Sequence, residues 1–138
     1  MLRKRLGDYA FFRGLRLYYE THKEANATTD DLRAALEKAS GQNLRDFFNR
    51  WVFGSGHPIY DVSYTEAGAF LTISLKQTQG GEAFLDPVPI EITSGGEKTR
   101  ALIRPEGKVT TERVRVKGGA TTVQIDPDDT LLKELASR

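Results

Sequence analysis

His22 and His57 are the only two imidazoles in the chain, and there is no cysteine. A zinc site needs three or four N, S or O ligands converging on one point. His22 is followed by Lys23 and Glu24, and His57 stands between Gly56 and Pro58, so neither begins a zinc-binding His pair on a helix. Both read as surface or joint residues, and the sequence assigns no catalytic and no metal-ligating residue. Asp126, Asp128 and Asp129 carry calcium-type oxygens. Their spacing lacks the glycine and terminal glutamate of an EF-hand loop, so a turn held by Asx hydrogen bonds is the expectation. Arg113, Arg115 and Lys117 alternate with Val114 and Val116, as on a solvated strand face rather than an anion-binding strip. Arg3, Lys4 and Arg5 read as solvated helix positions. Tyr18, Tyr19, Phe47, Phe48 and Trp51 recur at helical spacing, which favours core over a ring-binding pocket.

The elements that would position these residues change character near Gly54. Residues 1–53 carry ten basic and seven acidic side chains (+3), and residues 54–138 carry ten and twelve (−2). The first part has helical periodicity. Residues 1–6 read as a helix end, with Gly7 at a C′ position and Asp8 as the next N-cap. A helix over 9–21 has Phe11, Phe12, Leu15, Tyr18 and Tyr19 on its apolar face, with Gly14 a tolerated weak point. Thr28 and Asp31 have capping-box spacing before Leu32, Ala35, Leu36 and Ala39, and Gly41 is the expected stop. Asn43 and Asp46 suggest a weaker box before Leu44, Phe47, Phe48, Trp51 and Val52. Gly54 and Gly56 end that helix, and Pro58 prevents a restart.

From Ile59 the period is two. Tyr60, Val62 and Tyr64 alternate first, then Leu71, Ile73 and Leu75, and then Val88, Ile90 and Ile92. Lys98 to Ile103 is a weaker strand, and Val114 with Val116 and Val123 with Ile125 complete the pattern. Glycines at 68, 80–81, 95–96, 107 and 118–119 mark turns. The last pair fits a two-residue hairpin, and Pro87 with Pro89 argues for an edge strand. Residues 126–136 read as a turn followed by a short helix or tail. The fold class is therefore α+β: a helical segment over 1–56, then an antiparallel seven-stranded β-sandwich over 57–138.

Composition excludes several classes. A 138-residue chain with net charge +1 and 38% hydrophobic residues can bury a core, and its charge does not call for nucleic acid or an anionic membrane. No apolar run is long enough to span a bilayer, and MLRKRLGD lacks the apolar stretch of a signal peptide. Absence of cysteine slightly favours a cytoplasmic location and does not exclude export.

The succession LRKRLGD-x-x-FFRGLRLYY, ATTDDLRAALEKASGQ-x-LRDFF and RWV-x-GSGHP over residues 2–58 resembles the aminopeptidase N and leukotriene hydrolase family of thermolysin-like zinc peptidases, family M1. LKQTQ, F-x-x-PVPIEI and IDPDDTLLKEL resemble it more loosely. In that family a helical catalytic domain ends at this point and a β-sandwich begins, so the resemblance makes Trp51, Gly54, Gly56 and Pro58 a structural joint. It implies a parent enzyme that removes N-terminal amino acids from peptides with one zinc, held by H-E-x-x-H and a further Glu. None of those residues can be placed here, so no cofactor is expected in this chain. The expectation is a non-catalytic C-terminal portion that scaffolds the parent, its partner being the rest of that peptidase in cis. Trp51 is expected to be largely buried. Self-association is expected through helical surface bared at Leu2, Leu6, Phe11 or Phe12, and Tyr18 or Tyr19. The other reading is a stand-alone sandwich module that binds a protein, peptide or glycan.

Overall fold

A computed structural model describes residues 1–119 and 121–136. Its elements, in chain order, are α1 (Leu2–Leu6), α2 (Asp8–His22), α3 (Thr29–Ser40), α4 (Arg45–Trp51), β1 (Ile59–Ala67), β2 (Phe70–Gln77), β3 (Val88–Ser94), β4 (Glu97–Ile103), β5 (Val109–Arg115), β6 (Thr121–Ile125) and β7 (Glu134–Leu135). They divide into two compact units, the first Met1–Gly56 and the second beginning at His57.

In the helical unit, Leu36, Leu44, Phe47 and Phe48 are buried together, with Leu2, Leu6, Phe11, Leu32 and Trp51 packed around them. Gly7, at φ 77°, breaks α1 from α2. Gly7 takes the N-cap position and Asp8 is the first residue of α2 rather than its cap, its two oxygens accepting from Arg3 Nε and a terminal guanidinium nitrogen at 2.8 Å each. The box at Thr28 forms as read: its hydroxyl accepts the Asp31 amide at 3.2 Å, and the Asp31 carboxylate accepts the Thr28 amide at 2.8 Å. Gly41 closes α3 in the left-handed conformation. The box expected at Asn43 and Asp46 does not form. Leu44 takes the N-cap position, its amide donates to Glu37 Oε1 at 2.7 Å, and Asn43 Oδ1 accepts only the Arg45 amide.

Gly14 is more than a weak point. A Cβ there would lie 2.7 Å from Leu36 Cδ2 and 3.0 Å from Leu36 Cα, so the missing side chain is what lets α2 approach α3. The expected apolar face of α2 is correspondingly divided. Phe11 packs inward, while Phe12 and Tyr19 are exposed, as is Val52 beyond the end of α4. Leu2 and Leu6 have partners in the core, so they are not part of the bare surface.

The second unit has two sheets, ordered β5-β2-β1-β7 and β4-β3-β6. Tyr60, Leu71, Ile73 and Leu75 of the first share one buried cluster with Val88, Ile90, Ile92, Ile103 and Ile125 of the second. Two tight hairpins set the register. Ala67 faces Phe70 around Gly68, and Ser94 faces Glu97 around Gly95 and Gly96, both at positive φ.

Three expectations are corrected here. β3 is the central strand of its sheet despite Pro89. The Pro89 carbonyl accepts the Asp126 amide one rung beyond the Ile90–Ile125 pair, so the absent N–H falls at the end of the ladder. Gly118 and Gly119 do not close a hairpin, because β5 pairs with β2 and β6 pairs with β3, and the glycines carry the chain from one sheet to the other. The sheets are also not wholly antiparallel. Glu134 and Leu135, read as helix or tail, pair in parallel with Ile59 and Tyr60.

Candidate functional site

A polar network surrounds the start of β1, where the chain enters the sheets. The Pro58 carbonyl accepts the Glu134 amide at 3.0 Å and the Tyr60 carbonyl accepts the Ala136 amide at 2.9 Å, both from the β7 side. On the opposite side the Ile59 carbonyl accepts the Thr78 amide at 2.9 Å, and the Ile59 amide donates to Gln79 Oε1 at 3.1 Å. The entry strand is therefore held along both edges.

Each edge has its own support. On the β7 side Asp126 is buried at φ 45°. Its Oδ1 accepts the Thr130 amide and hydroxyl at 3.0 and 2.6 Å, and its Oδ2 accepts the Leu131 amide and Lys133 Nζ at 2.8 Å each. Burial alone pushes this carboxyl up. The lysine, the hydroxyl and the two amides outweigh it and hold the pKa down at about 2. Burial likewise opposes charge on Lys133, but its bonds to Asp126 and Asp129 raise it. Asp126 thus makes the expected turn and Asp129 shares its lysine, so an ammonium group stands where a cation ligand set would need open oxygen, while Asp128 instead accepts two hydrogen bonds from the Arg100 guanidinium at 2.8 and 3.1 Å.

On the other edge Gln77, itself buried, imitates a strand. Its Nε2 donates to the Phe84 carbonyl and its Oε1 accepts the Phe84 amide, both at 2.8 Å. Gln79 Nε2 donates to the same Oε1 at 3.0 Å, and Lys108 Nζ donates to the Gln79 carbonyl at 2.6 Å. Phe84, 1% exposed, is pinned by these bonds. Residue-by-residue reading passed over Gln77, Gln79 and Lys133. The signal available was the LKQTQ and F-x-x-P pair of motifs, since Gln77 of the first bonds Phe84 of the second.

The four residues expected at a joint differ in their surroundings. Gly56 has φ 81°. Gly54 is not in the left-handed region and does not cap the helix. A Cβ on it would meet the Arg50 and Asn49 carbonyl oxygens at 2.6 and 2.9 Å, so glycine is needed for close approach to the last turn of α4. Trp51 is half-buried, its ring centroid 6.4 Å from that of Phe47. Pro58 is buried and supplies the carbonyl that receives β7.

Six of the remaining candidates have local partners, while Lys4 and Arg115 are exposed. Arg3 pairs with Asp8, the Arg5 guanidinium lies 5.6 Å above the Phe47 ring, and Arg113 lies 4.0 Å above Phe70. Lys117 pairs with Glu97. His22 stacks obliquely on Tyr18 and His57 Nε2 lies 3.4 Å from Glu134 Oε2. Among the described residues no three His, Cys, Asp or Glu side chains cluster to hold a metal ion, so these residues do not fit a zinc site. No helix among them is long and apolar enough to cross a membrane.

Residues 1–51 match the model of the Peptidase family M1 domain. The chain is 32% identical to the puromycin-sensitive aminopeptidase of Caenorhabditis elegans over 137 residues, covering 84% of this chain and 14% of that protein. It is 40% identical to aminopeptidase N of Lactococcus lactis subsp. lactis over 82 residues, covering 59% and 9%. The fold superposes on Legionella pneumophila aminopeptidase A, solved in complex with aspartic acid, with a TM-score of 0.75 at 16% identity, covering 99% of this chain and 16% of that one. The chain thus spans less than a fifth of the length of these relatives. From the helical motifs through the sheets it corresponds to a C-terminal portion of the M1 aminopeptidases.

Proposed function

We propose that this chain is a non-catalytic scaffold of a zinc-dependent aminopeptidase, comprising the last helices of the catalytic domain and the β-sandwich that follows them. The observation that carries this reading is the match of the helical unit, residues 1–51, to the M1 domain, with similarity to aminopeptidases continuing through the sheets. On this reading the two sheets over one core are the two layers of the sandwich, and Trp51, Gly54, Gly56 and Pro58 are the joint. The clamp on β1 then fixes where the strand leaves that joint. The zinc and its ligands lie elsewhere in the parent, whose remainder is the partner in cis.

The test is a graft. This chain replaces the segment it matches in Lactococcus lactis aminopeptidase N, and hydrolysis of an aminoacyl chromogenic substrate is measured beside the isolated chain. The graft is expected to be active, and the isolated chain to show background hydrolysis and no stoichiometric zinc by elemental analysis. A folded but inactive graft, or one tightly held zinc per isolated chain, overturns the proposal.

A further inference from the structure

One side of α2 carries three large exposed aromatics, and the Arg3 guanidinium lies 5.0 Å from the ring centroid of one of them, Phe12. Tyr9 is 79% exposed, Phe12 49% and Tyr19 67%. Their spacing of three and seven places them on one stripe of the helix. Arg13 and Arg16, also exposed, stand between them, and neither makes an ion pair among the described residues. Elsewhere in this unit Arg3 pairs with Asp8, Arg5 lies over Phe47, and Arg33 pairs with Asp30 and Glu37. Exposed aromatics in a contiguous stripe mark an interaction surface rather than ordinary solvent-facing residues. Charges left open within such a stripe select the sign of the partner.

We propose that this face of α2 is the docking surface for an amphipathic helix with acidic flanks, supplied by the remainder of an M1 catalytic domain. A helix is the element whose apolar ridge fills a stripe of this spacing, and Gly14 on the opposite side of α2 shows how close helix packing in this unit becomes. Carboxylates flanking that ridge would meet Arg13 and Arg16 as the aromatics are covered. The identity of the partner rests on the scaffold reading above. The chemistry of the surface does not.

Two arms separate these. In the first, the full isolated chain is titrated into a labelled designed peptide with leucines at i, i+3, i+4 and i+7 flanked by glutamates, and anisotropy is read. Saturable binding is expected, weakened about tenfold by Arg13→Glu/Arg16→Glu and again by Tyr9→Ser/Tyr19→Ser, the size of one buried interface anchor. No binding, equal binding of a lysine-flanked peptide, or preference for polyuridylic acid overturns the proposal. So does self-association in light scattering that protects Tyr19 without the peptide. In the second arm, hydroxyl-radical footprinting compares the isolated chain with the graft in Lactococcus aminopeptidase N. Protection of Tyr9, Phe12 and Tyr19 in the graft is expected. An active graft in which they stay reactive removes the docking inference and leaves the scaffold reading standing. An inactive graft beside acidic-peptide binding by the isolated chain removes the scaffold reading and the assigned source, and leaves the acidic-helix surface.

Discussion

The two units bury their apolar residues to different degrees. Among the described residues the sheet unit gathers nine buried side chains into one cluster fed by both sheets, whereas the helical unit gathers four and leaves Tyr9, Phe12 and Tyr19 largely in solvent. A strand pattern of period two completes itself when two sheets face each other, because every inward residue meets one from the opposite layer. A helix has stripes on more than one side, and α2 uses one stripe on α3 while the other stays open. The unit with the sharper resemblance to the M1 family gathers its bare rings on one helix, whereas the sheet unit scatters its exposed apolar residues, Leu85, Val109 and Leu132 among them, over separate segments.

The largest break in this comparison is expected at Phe84. Truncation to Ala in a side chain that is 1% exposed should cost about 3–5 kcal/mol. Amide exchange should speed across β2, β3 and β5 while α2 and α3 keep their protection. Equal loss in both units would show that they do not differ in the way described.

Next in size is the acid response of Asp126. Its carboxyl is at about 2 in the fold against an ordinary value near 4, so it binds its proton less readily folded than unfolded. The stability it contributes is therefore complete above about pH 4 and is lost as pH falls toward 2, amounting to about 2 kcal/mol. Urea midpoints measured across that window on the chain and on Asp126→Asn should converge at the acid end. Parallel curves would remove the carboxylate from the account.

Gly14→Ala sets two effects against each other in the helical unit. Alanine favours the helix by about 1 kcal/mol. The added methyl would sit 2.7 Å from Leu36 Cδ2, and overpacking of that kind costs about 1–3 kcal/mol. The packing cost should win, and the urea midpoint should fall. A raised midpoint would mean that the α2–α3 contact is loose.

Trp51, the only tryptophan, reports a smaller effect. Full burial would make its loss worth about 3–5 kcal/mol, and its half-buried place against Phe47 implies less, about 1–2 kcal/mol. Its emission should lie between the buried and solvent limits with partial quenching by iodide, and complete shielding would contradict the placement. Smallest is Tyr19→Ser, a bare position, which should leave stability within about 0.5 kcal/mol. A loss of more than twice that would show that the open stripe is covered within the chain itself.

Local chemistry was legible where one residue determines it. Thr28 with Asp31, Gly41, and the paired glycines at 95–96 each have a short-range geometry that few sequences satisfy otherwise. What the sequence concealed was set by distant neighbours. Gly14 looks like a flaw until Leu36 is placed against it. Pro89 looks like an edge residue until the β3–β6 ladder is seen to end there. Gly118 and Gly119 have the chemistry of a hairpin but connect strands of different sheets. For the candidate site, the aspartate turn was readable from Asx chemistry. The lysine inside it, and the glutamines that hold β1, were not, since polar residues in loops carry no periodicity to betray burial.

The parallel pairing of Ile59 with Glu134 joins the first strand of the sheet unit to the last. In kinetic terms this is the strand pairing of highest sequence separation among the described residues of the unit, and loop-closure entropy makes such contacts slow to gain. Hairpins β1–β2 and β3–β4 close over a few residues and can form first. During synthesis the strand leaving Pro58 therefore waits, with its outer edge unpaired, until the Asp126 turn has emerged and folded. A nascent chain stalled before that turn would present the open edge of β1 to chaperones or to other strands.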